Sequence, residues 1–119
     1  MVEKILVVDD SQVERVHLHK MLTQAGYQVQ LVENGLEAIE AVRQHEPDLI
    51  LMDVNMPQMD GFAATRALRG GAHTRHIPVI LVTAKNQKAD KAWGQMLGVK
   101  GYITKPYTEE QLLAQIRQI

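Results

Sequence analysis

Short apolar runs punctuate this chain, and between them apolar residues recur every three or four positions. Ile5 to Val8, Leu49 to Met52 and Val79 to Val82 are each about one strand long, and a weaker run falls at Tyr102-Ile103. Unbroken runs of this length fit strands buried on both faces, as in a parallel sheet. Val29 to Val32 differs, because Gln28 and Gln30 alternate with its apolar positions. That pattern predicts a strand with one exposed face, at a sheet edge.

The intervening stretches read as helices. Ser11 with Glu14 and Thr108 with Gln111 have the spacing of capping boxes, and Asn34 with Glu37 is a similar start. The first helix sets Glu14, His17, Leu18, Met21, Leu22 and Ala25 on one stripe, and Gly26 follows where a left-handed cap belongs. Leu36, Ala38, Ile39, Ala41 and Val42 mark the second, before His45 and Pro47. A third runs from about Phe62 to Arg69 and stops at Gly70-Gly71. In the fourth, Ala89, Ala92, Trp93, Met96 and Leu97 keep an i, i+3, i+4 rhythm closed by Gly98, which predicts a buried stripe with Trp93 in or at the edge of the core. Leu112, Leu113 and Ile116 mark the last. Strand then helix, repeated along the chain, predicts an α/β doubly wound open sheet with right-handed crossovers and helices on both faces. Such a sheet binds its ligand at the carboxyl ends of the strands, near a topological switch point.

Composition narrows the picture. A chain of 119 residues with 45% hydrophobic residues makes one domain with an ordinary core, so residues 1–119 are expected to form a single unit. It has no cysteine, which excludes a disulfide framework, a zinc–thiolate site and cysteine catalysis. The net charge of -1 gives no basic surplus, so direct nucleic-acid binding has no support. The apolar runs fall far short of the roughly 20 residues that cross a bilayer, and no secretory-signal pattern precedes Ile5. The expectation is a soluble, cytoplasmic protein without membrane insertion.

The predicted sheet then gives meaning to the residues at its strand ends. Asp9 and Asp10 follow the first strand, Asp53 the third, Thr83 the fourth and Lys105 the fifth. Each has a bland reading. Asp10-Ser11 suits a helix cap, Asn55-Met56-Pro57 after Asp53 reads as a turn, and a lone Lys-Pro says little. Their conjunction at one edge says more. Clustered carboxylates repel and raise one another's pKa, and a divalent cation relieves that. Mg²⁺ suits a few carboxylate oxygens together with waters and a phosphate oxygen. A carboxylate so placed is a competent nucleophile toward phosphorus, and Lys105 and the Thr83 hydroxyl can compensate the phosphoryl oxygens.

At these residues the sequence resembles the receiver domain of two-component response regulators, from Ile5 to Ile116. The resemblance rests on Val8-Asp9-Asp10-Ser11, on Leu51 through Asp53 to Gly61, on Val82-Thr83-Ala84 and on Tyr102-Ile103-Thr104-Lys105-Pro106. It implies a flavodoxin-like (βα)5 sandwich with strand order 2-1-3-4-5. Asp53 would accept a phosphoryl group from the phosphohistidine of a histidine kinase or histidine phosphotransfer domain. Mg²⁺ would be held by Asp10, by Asp9 with Asp53, and by the Asn55 carbonyl. Lys105 would contact the phosphoryl oxygens, Thr83 and Tyr102 would act as the switch, and the bond before Pro106 would be cis. The fourth helix, fifth strand and fifth helix would face a downstream protein target, in a monomer or weak dimer. The stretch from Thr83 through Asn86 to Gly94 is similar, more narrowly, to the small regulators of type IV pilus twitching motility. Lys100-Gly101 stands where regulators with winged-helix outputs often carry an acidic pair.

Other readings compete. The same domain could belong to a longer DNA-binding regulator or hybrid kinase. Phosphatases that form an aspartyl phosphate commonly need a second Asp two positions after the nucleophile, and here Asn55 cannot transfer a proton. A flavin module would want a Ser/Thr/Gly-rich loop where Asp9-Asp10-Ser11 stands. No histidine spacing suggests a metal, and His17, on the stripe with Leu18 and Leu22, is expected to be partly buried. In receivers the start of the first helix contacts the phosphodonor, which here would involve Val13, Glu14 and His17.

Overall fold

Strand and helix alternate throughout the computed structural model, which describes Val2 to Ile119 apart from Pro57 and Asn86. The elements are β1 (Lys4–Val8), α1 (Gln12–Gln24), β2 (Gln28–Val32), α2 (Gly35–Gln44), β3 (Leu49–Met52), α3 (Gly61–Gly70), β4 (Val79–Thr83), α4 (Lys88–Met96), β5 (Gly101–Thr104) and α5 (Glu109–Arg117). The five strands are all parallel and run in the order β2-β1-β3-β4-β5. This is the doubly wound sheet expected from the sequence, with the alternating run as edge strand β2.

Successive residues of a strand point to opposite faces, so each unbroken run feeds two cores at once. Ile5 and Val7 of β1, with Leu49, Leu51, Ile80 and Val82, pack against Leu18, Met21 and Leu22 of α1 and Leu112, Leu113 and Ile116 of α5. Leu6 and Val8, with Ile50, Met52, Val79 and Leu81, face Ala38, Ala41 and Val42 of α2 and Ala64 and Leu68 of α3. The start of the sheet is tied by Asp48, whose Oδ2 accepts from the N–H groups of Glu3 and Lys4 at 2.9 Å each. Those two bonds hold the Asp48 carboxyl below its ordinary range.

The helix starts form as their sequences require. Ser11, Asn34 and Thr108 accept from the backbone N–H three residues on, at 3.3, 2.9 and 3.1 Å. Gln111 closes a reciprocal box by accepting from Thr108 N–H at 2.9 Å. Each such cap stabilises its helix by about 1 kcal/mol. Gly26 and Gly98 take the positive φ, 98° and 82°, that turns the chain out of α1 and α4.

Three expectations about helix faces are corrected. His17 is exposed, because α1 buries a narrow stripe centred on Leu18, Met21 and Leu22 and leaves the polar ring at its margin. Leu36 is 51% exposed, since α2 turns Ala38, Ala41 and Val42 inward. The stripe of α4 faces outward: Ala89 and Ala92 are exposed, Trp93 is 41% exposed and Met96 78%. What α4 presents to the sheet is Gly94, where an added Cβ would lie 3.2 Å from both Leu81 Cδ1 and Tyr102 Cδ2. The helix sits so close to β4 and β5 at that point that its contact side needs no side chain.

Candidate functional site

β1 and β3 are adjacent and in register, Val8 opposite Met52, so Asp9 and Asp53 leave the sheet side by side. Asp53 N–H donates to Val8 O at 2.9 Å, and Asp9 N–H to Val32 O at 3.2 Å, which continues the ladder past the strand ends. On the other flank Thr83 pairs with Thr104, and Lys105 N–H donates to Thr83 O at 2.9 Å. Four strands thus deliver the candidate residues to one edge, beside the switch between β1 and β3.

There Asp9, Asp10 and Asp53 each offer an oxygen, and these lie within 4.8 Å of one another. Asp9 and Asp53 are buried, at 2% and 8% exposure, whereas Asp10 opens to solvent. Lys105 Nζ sits 3.0 Å from Asp9 Oδ2 and 3.2 Å from Asp53 Oδ2, with Glu14 Oε2 at 4.0 Å. The remaining carboxylate oxygens also have partners: Asp9 Oδ1 accepts from Ser11 N–H at 2.9 Å, and Asp53 Oδ1 from Asn55 N–H at 3.2 Å. Burial raises the Asp9 carboxyl despite the bonds from Ser11 and Lys105 that oppose it. For Lys105 burial favours the neutral amine, but the hydrogen bond to Asp9 and the charges of Asp53 and Asp9 outweigh it and raise the lysine. The ammonium is therefore charged at neutral pH and neutralises part of the acidic cluster.

Thr83 is fully buried, and its Oγ1 accepts from Lys85 N–H at 3.3 Å. Tyr102 hydroxyl donates to Lys85 O at 2.7 Å, which links β5 to the loop after Thr83. Burial, then the charges of Asp90 and Asp53, raise that phenol. The bond before Pro106 is cis. Asn55 follows Asp53 at the exposed rim, and the turn read through Pro57 extends outside the described residues.

Four residues support the site through contacts that their sequence positions do not announce. Gly61 opens α3 against the end of β3: an added Cβ would lie 2.2 Å from Asp53 O and 2.8 Å from Val54 Cα. Only the glycine beside the Asp60 cap could have signalled so close an approach. Arg15 reaches back to donate to Asp9 O at 2.8 Å, and Glu14 joins the cage around Lys105 instead of completing its capping box. Tyr107 packs beside them, and burial together with Glu14 pushes its phenol up to about 12.

Comparison with known proteins bears on the family and the fold. The family model for the response regulator receiver domain matches residues 5–117. Protein PilH of Pseudomonas aeruginosa is 47% identical over 116 residues, 98% of this chain and 96% of PilH. The polar-differentiation response regulator DivK of Brucella anthropi is 34% identical, over 98% of this chain and 95% of its own. Among solved structures, the Vibrio cholerae chemotaxis protein CheY4 superposes with a TM-score of 0.93 at 32% identity, covering 100% of this chain and 99% of CheY4. The receiver domain of sensor histidine kinase PA1611 from Pseudomonas aeruginosa, solved with magnesium coordinated in its active-site cleft, gives 0.90 at 31% identity over 99% of this chain and 97% of that one. Sequence match and sheet order agree, and the chain belongs to the response regulator receiver domain family.

Proposed function

We propose that this protein carries a signal as an acyl phosphate on Asp53. The observation behind the reading is the pairing of Asp53 with Lys105 at 3.2 Å beside the carboxylates of Asp9 and Asp10. In the reaction an oxygen of Asp53 attacks the phosphorus of a phosphohistidine on a histidine kinase or phosphotransfer domain. A P–O bond forms, the P–N bond breaks, and the histidine nitrogen keeps the electron pair. Lys105 compensates the phosphoryl oxygens at the buried end of the site.

The donor set is made of hard oxygens, which fits Mg²⁺ and suits neither zinc nor copper. Asp9, Asp10, Asp53 and the Asn55 carbonyl would hold it, and bound there it supplies charge neutralisation during transfer. Thr83 and Tyr102 then report the phosphoryl group to a downstream target on the face of α4, β5 and α5, by shifting a two-state equilibrium. Asn55 offers no general base for rapid hydrolysis, which favours a signal holder over a phosphatase. We read residues 1–119 as a single receiver domain, a cytoplasmic monomer or weak dimer that makes no direct nucleic-acid contact. Its similarity to PilH supports the twitching-motility context suggested by the stretch around Thr83.

The test is radiolabel transfer from a phosphohistidine donor with Mg²⁺ present. Wild type should take up label only while the metal is present, so that chelation before the donor is added abolishes uptake, and Asp53→Ala should take up none. Uptake by Asp53→Ala at the wild-type rate would sink the mechanism.

A further inference from the structure

The outward stripe of α4 leaves an apolar surface that the phosphoacceptor chemistry does not use. Between α3 and α4 lies a groove of about 690 Å³ lined by Phe62, Ala63, Arg66, Ala67, Gly70 and Trp93, with Asp60 at its mouth. Its floor is small, since Ala63, Ala67 and Gly70 lie on one side of α3 at i, i+4 and i+7. Its wall is aromatic: Phe62 and Trp93 meet edge to face, with centroids 6.4 Å apart and rings at 83°. Met96, one turn beyond Trp93, extends the apolar ridge at 78% exposure. A second recess, lined by Asn55, Met56, Phe62 and Lys85 among others, shares Asp60 and Phe62 with the groove and continues it toward the acceptor edge.

Charge is distributed unevenly around this groove. The net charge of -1 conceals two opposed halves. Residues 1–60 carry eleven acids against four Lys and Arg, whereas residues 61–119 carry nine Lys and Arg against three acids, Asp90, Glu109 and Glu110. The groove lies in the basic half. Arg66 lines it, Lys85 lines the adjoining recess, and the Arg69 guanidinium lies against Gly98 beyond the end of α4. The acid at the mouth is engaged, because Asp60 Oδ1 caps α3 by accepting from Ala63 N–H at 2.8 Å.

We propose that the α3–α4 groove is a docking site for an acidic amphipathic helix of a partner protein. One large apolar side chain of that helix fills the space over Ala63 and Ala67, against Trp93. Its carboxylates meet Arg66 and the basic rim. A recess walled by two helices receives an inserted side chain better than the flat surface of a lipid bilayer. The site is separate from the α4–β5 side, where Lys91, Gln95, Lys100 and Tyr102 line a different recess. It also requires no phosphoryl group.

Trp93 is the only tryptophan of the chain, so its emission reports occupancy directly. The experiment selects, on the full unphosphorylated protein, from a displayed library of helical peptides in which Glu and Lys are equally frequent. The best peptide is then titrated against wild type and against Arg66→Glu, an exposed position whose variant should keep the wild-type circular dichroism. Selected peptides should be acidic with an aromatic or leucine anchor, should shift Trp93 emission to the blue, and should bind Arg66→Glu at least about tenfold more weakly. Binding should weaken as salt rises. A library without acidic enrichment, an unmoved Trp93 spectrum, or equal binding to Arg66→Glu would overturn the proposal. So would an equal blue shift with phosphatidylglycerol vesicles. A dimer in sedimentation whose formation shifts Trp93 emission to the blue and which Arg66→Glu breaks up would overturn it as well, since a second copy would then be the occupant.

Discussion

Lys105 is the counter-charge of the site, bonded to Asp9 and Asp53 and close to Glu14. Replacing it with Met leaves two buried carboxylates facing each other, which should cost about 2 kcal/mol at neutral pH without metal. The pH course of that loss follows from the raised lysine. A folded pKa above the unfolded value means that the contribution is fully present below the unfolded value of 10.5 and is lost as pH rises through the folded one. Urea unfolding across pH should therefore show a constant gap between wild type and Lys105→Met from neutrality to about pH 10, closing only above it. Lys85 presents a different case, because its backbone carries the structural bonds and its side chain lines the outer recess. Lys85→Ala should leave stability within about 0.5 kcal/mol of wild type while changing the dephosphorylation rate of Asp53. Identical decay of label in both proteins would remove Lys85 from the tuning of the phosphorylated state. Asp9, Asp10, Asp53, Thr83 and Lys105 were legible in the sequence because each follows an apolar run, and a parallel sheet gathers such positions. The contacts of Arg15 with Asp9 and of Glu14 with Lys105 were not, since a side chain reaching back across a loop leaves no periodic trace.

At the scale of the element, strands were easier to read than helix faces. A strand buried on both sides writes an unbroken apolar run, and β1, β3 and β4 obey it. A helix writes only a stripe, and the stripe does not say what covers it. α4 shows the difference, because its sheet side is Gly94, which contributes nothing to a periodicity, and its apolar stripe faces outward. α3 carries a similar silence at Gly61, which touches the backbone of Asp53 and Val54. Backbone atoms cannot swing aside as a flexible side chain can, so Gly61→Ala should push the start of α3 away from β3. We expect a loss of about 3 kcal/mol in urea unfolding, together with slower labelling of Asp53 in the folded fraction. A Gly61→Ala protein of wild-type stability and labelling rate would show that the contact yields.

For the whole molecule, three carboxylates crowded at one edge predict that a divalent cation bound there would stabilise the fold. Asp10 is the informative member, because it is the exposed carboxylate of the cluster while Asp9 and Asp53 share Lys105. A ligand that binds only the folded state stabilises it by mass action, about 2.7 kcal/mol at a concentration 100 times its Kd. For a domain of 119 residues that corresponds to a rise in Tm of about 10 °C. Asp10→Asn keeps the shape of the side chain and removes one charge, so two effects of opposite sign follow. Without metal the variant should be at least as stable as wild type, since less like charge is crowded at the edge. With Mg²⁺ it should gain only a small part of the wild-type shift, since one of the hard anionic ligands is gone. A thermal melt with and without Mg²⁺ reads both effects in one experiment. If Asp10→Asn gains as much as wild type, the cation is stabilising the fold from somewhere other than the edge where β1 and β3 end.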